Sequence, residues 1–149
     1  MPKPEPALGP LVLDTHVWIW ALEGATAELS SATVRLIEAA AANSALAVSA
    51  ISVWEVAMLE KRGRITLSRA IDEWIRAALT APGLRLVDLS PEIALDSARL
   101  PGEPHGDPAD RIIVATTRVL GATLITRDKQ ILRYAAAGHV RARDGKRRS

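Results

Sequence analysis

Cysteine is absent from the 149 residues. That excludes a disulfide framework, a cysteine nucleophile and a thiolate zinc site, and it fits a reducing compartment. Phenylalanine is absent as well, which leaves four tryptophans and one tyrosine as the only aromatics. A sheet that displays several aromatics for stacking RNA bases is therefore not expected. No apolar run is long enough for a membrane span. The longest uncharged stretch, Ala39 to Trp54, is broken by Asn43, Ser44, Ser49 and Ser52 and falls short of the roughly 20 apolar residues a bilayer requires. The opening Met-Pro-Lys-Pro-Glu-Pro lacks the apolar centre of a secretory signal. The expectation is a cytoplasmic protein without membrane attachment.

What is present is globular: 48% of the residues are apolar and 24% charged, which predicts one domain. The formal charge of +2 conceals an asymmetry. Residues 141 to 149 hold five of the 19 basic groups and one of the 17 acidic ones. The rest of the chain is slightly acidic. A basic end is an electrostatic handle for nucleic acid, but the simpler expectation is a solvated, disordered tail with a minor share of any affinity. Residues 1 to 10 contain four prolines and are expected to be a flexible arm. The domain is placed over 11 to 140.

Short apolar runs at 11–13, 46–48, 84–87 and 123–126 read as strands buried on both faces. Helical patterns separate them: 15–22, a segment capped by Ser30 or Ser31 that runs to about Ala42, and a segment from Ser52 to Gly63. Further ones follow Ser68 and Ser90-Pro91, run from Pro108 to Leu120, and start at Asp128. The alternation predicts a three-layer α/β/α sandwich with a short, mainly parallel central sheet.

Four acids fall at comparable places in that plan. Asp14 ends the first strand. Glu55 is expected in the first turn of the helix after the second strand. Asp110 lies in the first turn of the helix leading to the fourth, and Asp128 follows the fourth by two residues. Strand C-termini of a parallel sheet share one edge, where open α/β sheets keep their sites. The four carboxylates are expected to converge there. Without a cation they would repel one another; a hard divalent ion with oxygen ligands relieves this, and the lack of cysteine and the presence of only three histidines disfavour a soft metal. Metal-assisted hydrolysis of a nucleic-acid backbone is the chemistry this suggests. Each acid also has a bland explanation. Ser52 to Glu55 reads as a capping box, Asp107 to Asp110 as a capping pattern, and Asp128 as an N-cap.

The segments Leu11-Val-Leu-Asp14-Thr-His-Val-Trp-Ile-Trp20, Ser52-Val-Trp-Glu55-Val-Ala-Met-Leu-Glu-Lys61, His105-Gly-Asp107-Pro-Ala-Asp110-Arg111-Ile-Ile-Val-Ala115 and Leu124-Ile-Thr126-Arg-Asp128 together resemble the motifs of PIN-domain ribonucleases, specifically the VapC toxins of toxin–antitoxin pairs. The resemblance implies an Mg²⁺- or Mn²⁺-dependent endoribonuclease with Asp14, Glu55, Asp110 and Asp128 as its acidic quartet. Asp14 and Asp110 would be direct metal ligands; Glu55 and Asp128 would act through water or orient the nucleophile. Asp107 is read as the cap. The resemblance also implies an RNA substrate, a VapB-type antitoxin partner, a homodimer, and a heterotetramer or larger assembly with the antitoxin. Thr15 and Thr126 are candidates for holding a water or the scissile phosphate, or for ordinary strand-end packing. Arg111 and Arg127 would touch phosphate or form local ion pairs, and His105 would contact RNA or only pack. Trp18, Trp20, Trp54 and Trp74 are expected in the core or at an interface, with 18–22 and 53–59 as the antitoxin groove. Two other readings remain: a PIN nuclease of RNA processing or DNA outside toxin–antitoxin systems, and a non-catalytic metal-binding regulator. A phospho-receiver domain would want an acidic pair after the first strand, where this chain has Asp14 alone.

Overall fold

Apolar runs with no polar alternation belong where both faces of a sheet are covered. The computed structural model, which describes residues 9–25 and 27–148, makes a strand of each of the four expected runs; three are buried throughout, whereas the run at 84–87 lies at the sheet edge with Arg85 and Leu86 exposed. They are β1 (Leu11–Leu13), β2 (Leu46–Ser49), β3 (Leu84–Val87) and β4 (Thr123–Thr126). With β5 (Ala142–Asp144) they form one sheet in the order β3-β2-β1-β4-β5, and every pairing is parallel. Among the described residues seven helices surround it: α1 (Thr15–Glu23), α2 (Ser31–Ala42), α3 (Ala50–Lys61), α4 (Ile71–Leu79), α5 (Pro91–Ala98), α6 (Pro108–Leu120) and α7 (Lys129–Ala136).

Side chains of successive strand residues point to opposite faces, so β1 feeds two cores. Leu11 and Leu13 join Val17, Trp18, Ile37, Val56 and Trp74 on one face. Val12 joins Ile93, Ile113, Leu124, Ile131 and Tyr134 on the other. Each such side chain, fully buried, contributes about 1.5–3 kcal/mol, and this two-sided burial outweighs the short length of the strands. Trp18 and Trp74 meet edge to face with centroids 5.1 Å apart. No helix among the described residues is long and apolar enough to cross a membrane.

Three local expectations are corrected. Helix α3 starts three residues early: Ser49, not Ser52, is its N-cap, with the Ser49 hydroxyl accepting from the Ile51 N–H. Strand β2 runs straight into the helix, and Ser52 is fully buried in its first turn. Ser68 does not cap α4; Ala70 holds that position without a side-chain bond, because Ser68 donates to the Glu23 carboxylate instead. The basic end is not the disordered tail expected. Ala142–Asp144 pair in register with Leu124–Thr126, since the open edge of β4 offers backbone partners to any extended segment, whatever its side chains. The expected N-terminal arm lies outside the described residues up to position 8; the Pro10 carbonyl accepts from the Thr123 N–H.

Candidate active site

Asp14 stands where β1 hands over to α1. Its extended backbone makes it the N-cap of α1, and its carboxylate accepts from the Thr15 N–H at 2.8 Å and the Thr126 hydroxyl at 2.6 Å. Thr126 ends β4, beside β1, and its oxygen in turn accepts from the Asp128 N–H. One hydroxyl thus ties the first and fourth acids together. On the other side, the Thr15 hydroxyl donates to Glu55 at 2.5 Å and lies 2.9 Å from Ser52. Both threonines therefore orient carboxylates. Glu55 sits in the second turn of α3, and no acid lies in the first, so the capping-box explanation of Glu55 is removed.

Asp107 caps α6 by accepting from the Ala109 and Asp110 N–H groups, as expected. Asp128 caps α7 through Oδ1, which accepts from Gln130 and Ile131, and leaves Oδ2 free to face His105. A capped carboxylate keeps lone pairs for a second task, so capping and ligation are not exclusive.

His105 was not among the expected ligand set, yet it lies at the centre. Its Nε2 is 3.3 Å from carboxylate oxygens of both Asp110 and Asp128. Its Nδ1 accepts from the Asp107 N–H at 3.0 Å. With Nδ1 accepting, Nε2 is the nitrogen that donates toward the two acids. Nothing in the local pattern marks this: the residue lies in a loop, and only its closeness to Asp107 in sequence hints at a role.

Two sets of side chains bring ligand atoms within 4.8 Å of one another: His105, Asp110 and Asp128, and Glu55, Asp107 and Asp110. Asp110 belongs to both. Of the expected quartet, Glu55, Asp110 and Asp128 share these sets, with Asp107 and His105 added; Asp14 belongs to neither, and is tied to them by its repulsion of Glu55 and Asp110 and by the Thr126 hydroxyl. The electrostatics follow. Burial, and then Asp14, Glu55, Asp107 and Asp128, push the Asp110 carboxyl up to about 8. Burial raises Asp14 as well, against the bonds from Thr126 and Thr15 that favour its charge, and Asp128 adds repulsion. Glu55 is raised by burial, opposed by Thr15, with Asp14 and Asp107 adding repulsion. A cluster of oxygen donors that hold protons too tightly is the donor set a hard divalent cation relieves. The residues present fit such an ion.

The two flanking arginines are engaged locally. Arg111 donates through Nε to the Ser97 carbonyl. Arg127 pairs with Glu28 at 2.5 Å and lies over the Trp20 ring. Of the tryptophans, Trp18 and Trp74 are core, whereas Trp54 is 55% exposed.

A model of the PIN domain matches residues 11–137. Ribonuclease VapC22 of Mycobacterium tuberculosis (strain ATCC 25618 / H37Rv) is 36% identical over 121 residues, covering 81% of this chain and 88% of that protein. Among solved structures, VapBC2 from Rickettsia felis bound to a DNA fragment from its promoter superposes with a TM-score of 0.65 at 16% identity, covering 90% of this chain and 97% of that one. FitAcB from Neisseria gonorrhoeae gives 0.60 at 21%, covering 91% and 97%. A toxin–antitoxin complex from Klebsiella pneumoniae gives 0.55 at 24%, covering 81% and 89%. With its parallel five-stranded sheet, its acids on the strand-end rim and a family match over most of its length, the chain belongs to the PIN domain family.

Proposed function

We propose that this protein is a divalent-metal-dependent endoribonuclease acting as the toxin of a toxin–antitoxin pair, and that its core from residue 11 through β5 works as one nuclease unit. The observation that carries the reading is the meeting of Asp14, Glu55, Asp110 and Asp128 on one rim, with three of the four held above the usual carboxylate range. Asp14 and Asp110 would hold Mg²⁺ or Mn²⁺ directly, with Glu55 and Asp128 acting through water. When bound, such an ion polarises the phosphodiester and makes a water more acidic. The chain's own part is positional. Thr126 and Thr15 fix the rotamers of Asp14 and Glu55. The test is incubation of purified protein with RNA and Mg²⁺ or Mn²⁺. Cleavage is expected, and it should vanish with EDTA and in Asp14→Asn; cleavage that survives both would sink the metal mechanism.

Charge next to the rim supports an RNA substrate. Arg35, Lys146 and Arg148 line a cavity of about 400 Å³ with Ser30 and Ser31. That cavity is tied to the site by backbone: Gly145 N–H donates to the Thr126 carbonyl, and Ser30 N–H donates to the Gly145 carbonyl. None of the three cations is in an ion pair among the described residues. Replacing all three by alanine should weaken RNA binding. The salt dependence of log K should flatten by about 2, at roughly 0.7 per phosphate contact on a single strand. An unchanged slope in a salt titration would exclude the track.

A VapB-type antitoxin and a homodimer are proposed on the apolar surface that α1 and α3 leave uncovered. Leu22 and Trp54 are 43% and 55% exposed, and Trp20 lines an apolar cavity of about 160 Å³ between α1 and α2. Trp18 and Val56, expected at the groove, are instead core. Co-expression with the neighbouring small gene product should yield a complex that Trp54→Asp weakens without lowering the melting temperature. Recovery of the toxin alone would count against the partner.

A further inference from the structure

A second cavity opens directly off the acidic rim. It measures about 610 Å³ and lies between the loop at 102–106 and α7 with the turn that follows it. This is within the roughly 300–1,000 Å³ typical of small-ligand sites. Its walls are held by contacts that packing alone does not require. The Tyr134 hydroxyl donates to the Pro101 carbonyl, which fastens the loop to α7. The Tyr134 and His139 rings lie 4.8 Å apart, and the His139 carbonyl accepts from Arg118. The loop then passes so close to the His139 ring that a Cβ on Gly102 would stand 2.6 Å from Nε2, and Gly102 has φ +66. The left-handed φ favours glycine there, and any larger residue would push the His139 ring aside.

Two polar side chains of this cavity are unspent. Gln130 and Arg133, one turn apart on α7, line it, and neither side chain has a hydrogen bond or ion pair among the described residues. The inner end is His105, whose Nε2 touches Asp110 and Asp128. The floor turn is shared too, since the Gln130 N–H donates to Asp128.

We propose that this cavity receives the base and ribose of the nucleotide next to the scissile phosphate, and that Gln130 and Arg133 read that base. The proposal rests on the ribonuclease reading and names a subsite of it. A phosphate is not the better occupant: Arg133 is offset by Glu103, which also lines the cavity, so no excess positive charge is left. An amide, which both donates and accepts, beside a planar guanidinium matches the edge of an unstacked base. An imidazole wall offers a face for the ring.

Two measurements test it. In the first, a randomised RNA pool is cut and the ends are sequenced. Wild-type protein is expected to prefer one base beside the cut. Gln130→Ala/Arg133→Ala should flatten that preference and raise KM about tenfold, while Lys129→Ala, on the same helix but outside the cavity, leaves the preference as it was. In the second, each of the four nucleoside monophosphates is titrated into Asp14→Asn protein and followed by NMR, with shifts expected at His139 and Gln130. Cutting with the same preference and KM in the double variant, and no shift at His139, would overturn the subsite. If the wild type cuts no RNA but the nucleotides still shift His139, the subsite stands and the ribonuclease reading falls. If neither occurs, both fall.

Discussion

Asp110→Asn is expected to abolish RNA cleavage while making the metal-free protein more stable. The two effects share one cause. Asp110 is the carboxylate common to both ligand clusters, and its pKa of about 8 reflects burial and four acidic neighbours. At neutral pH the folded state holds a proton that the unfolded chain, with a value near 3.8, has released. That mismatch costs a few kcal/mol of stability. Asparagine keeps the shape and removes the mismatch. The unfolding free energy in EDTA should rise by roughly 2–4 kcal/mol. Cleavage should fall by more than about 100-fold, beyond what loss of a residue that merely orients a ligand costs. Denaturant melts and a cleavage assay on the same preparation check both. A variant both inactive and less stable would mean that Asp110 holds the fold together and would refute the picture of mutual repulsion.

The metal-free protein should lose stability as pH rises from about 4 to about 8, and a divalent cation should restore it. Asp14, Glu55 and Asp110 all have folded values above their unfolded ones of 3.8, 4.5 and 3.8. Each favours the folded state fully below its unfolded value. Each loses that contribution as pH climbs through the folded value, which for Asp110 is about 8. The trend is the reverse of that for carboxylates held by salt bridges. A cation binds the deprotonated oxygens, so its stabilising effect should grow with pH. At a hundred times the dissociation constant it should reach about 2.7 kcal/mol. Thermal melts in EDTA and in Mg²⁺ or Mn²⁺ from pH 5 to 9 decide the matter. Metal-free stability that climbs over that range, with no response to either ion, would refute the linkage.

The errors in reading the chain have particular physical sources. Two serines three residues apart, Ser49 and Ser52, can each start α3, and the sequence near Glu55 favours the second. The winner is set by Thr15, which takes Ser52 and Glu55 into the interior. Ser68 has the right chemistry for a cap but finds Glu23, 45 residues earlier, a better partner. Strand β5 is invisible because its residues are Ala, Arg and Asp, and a parallel edge strand is held by its neighbour's backbone. From the sequence, His105 is expected to contact RNA or only to pack; its place between Asp110 and Asp128 is not legible there, since a loop histidine carries no periodic signal.

The layers, the four principal strands, the types of donor atom and the order of the acids along the chain are legible in the residues alone, because burial and helix capping are written in neighbouring residues. Folding alone makes Asp110 common to two clusters, sets His105 between Asp110 of α6 and the cap of α7, and lays the basic end along the sheet beside Thr126. Such contacts join distant parts of the chain, as when the Thr126 hydroxyl reaches Asp14 across 112 positions. They depend on where loops return the chain, and that is fixed by packing of the whole core rather than by any local pattern.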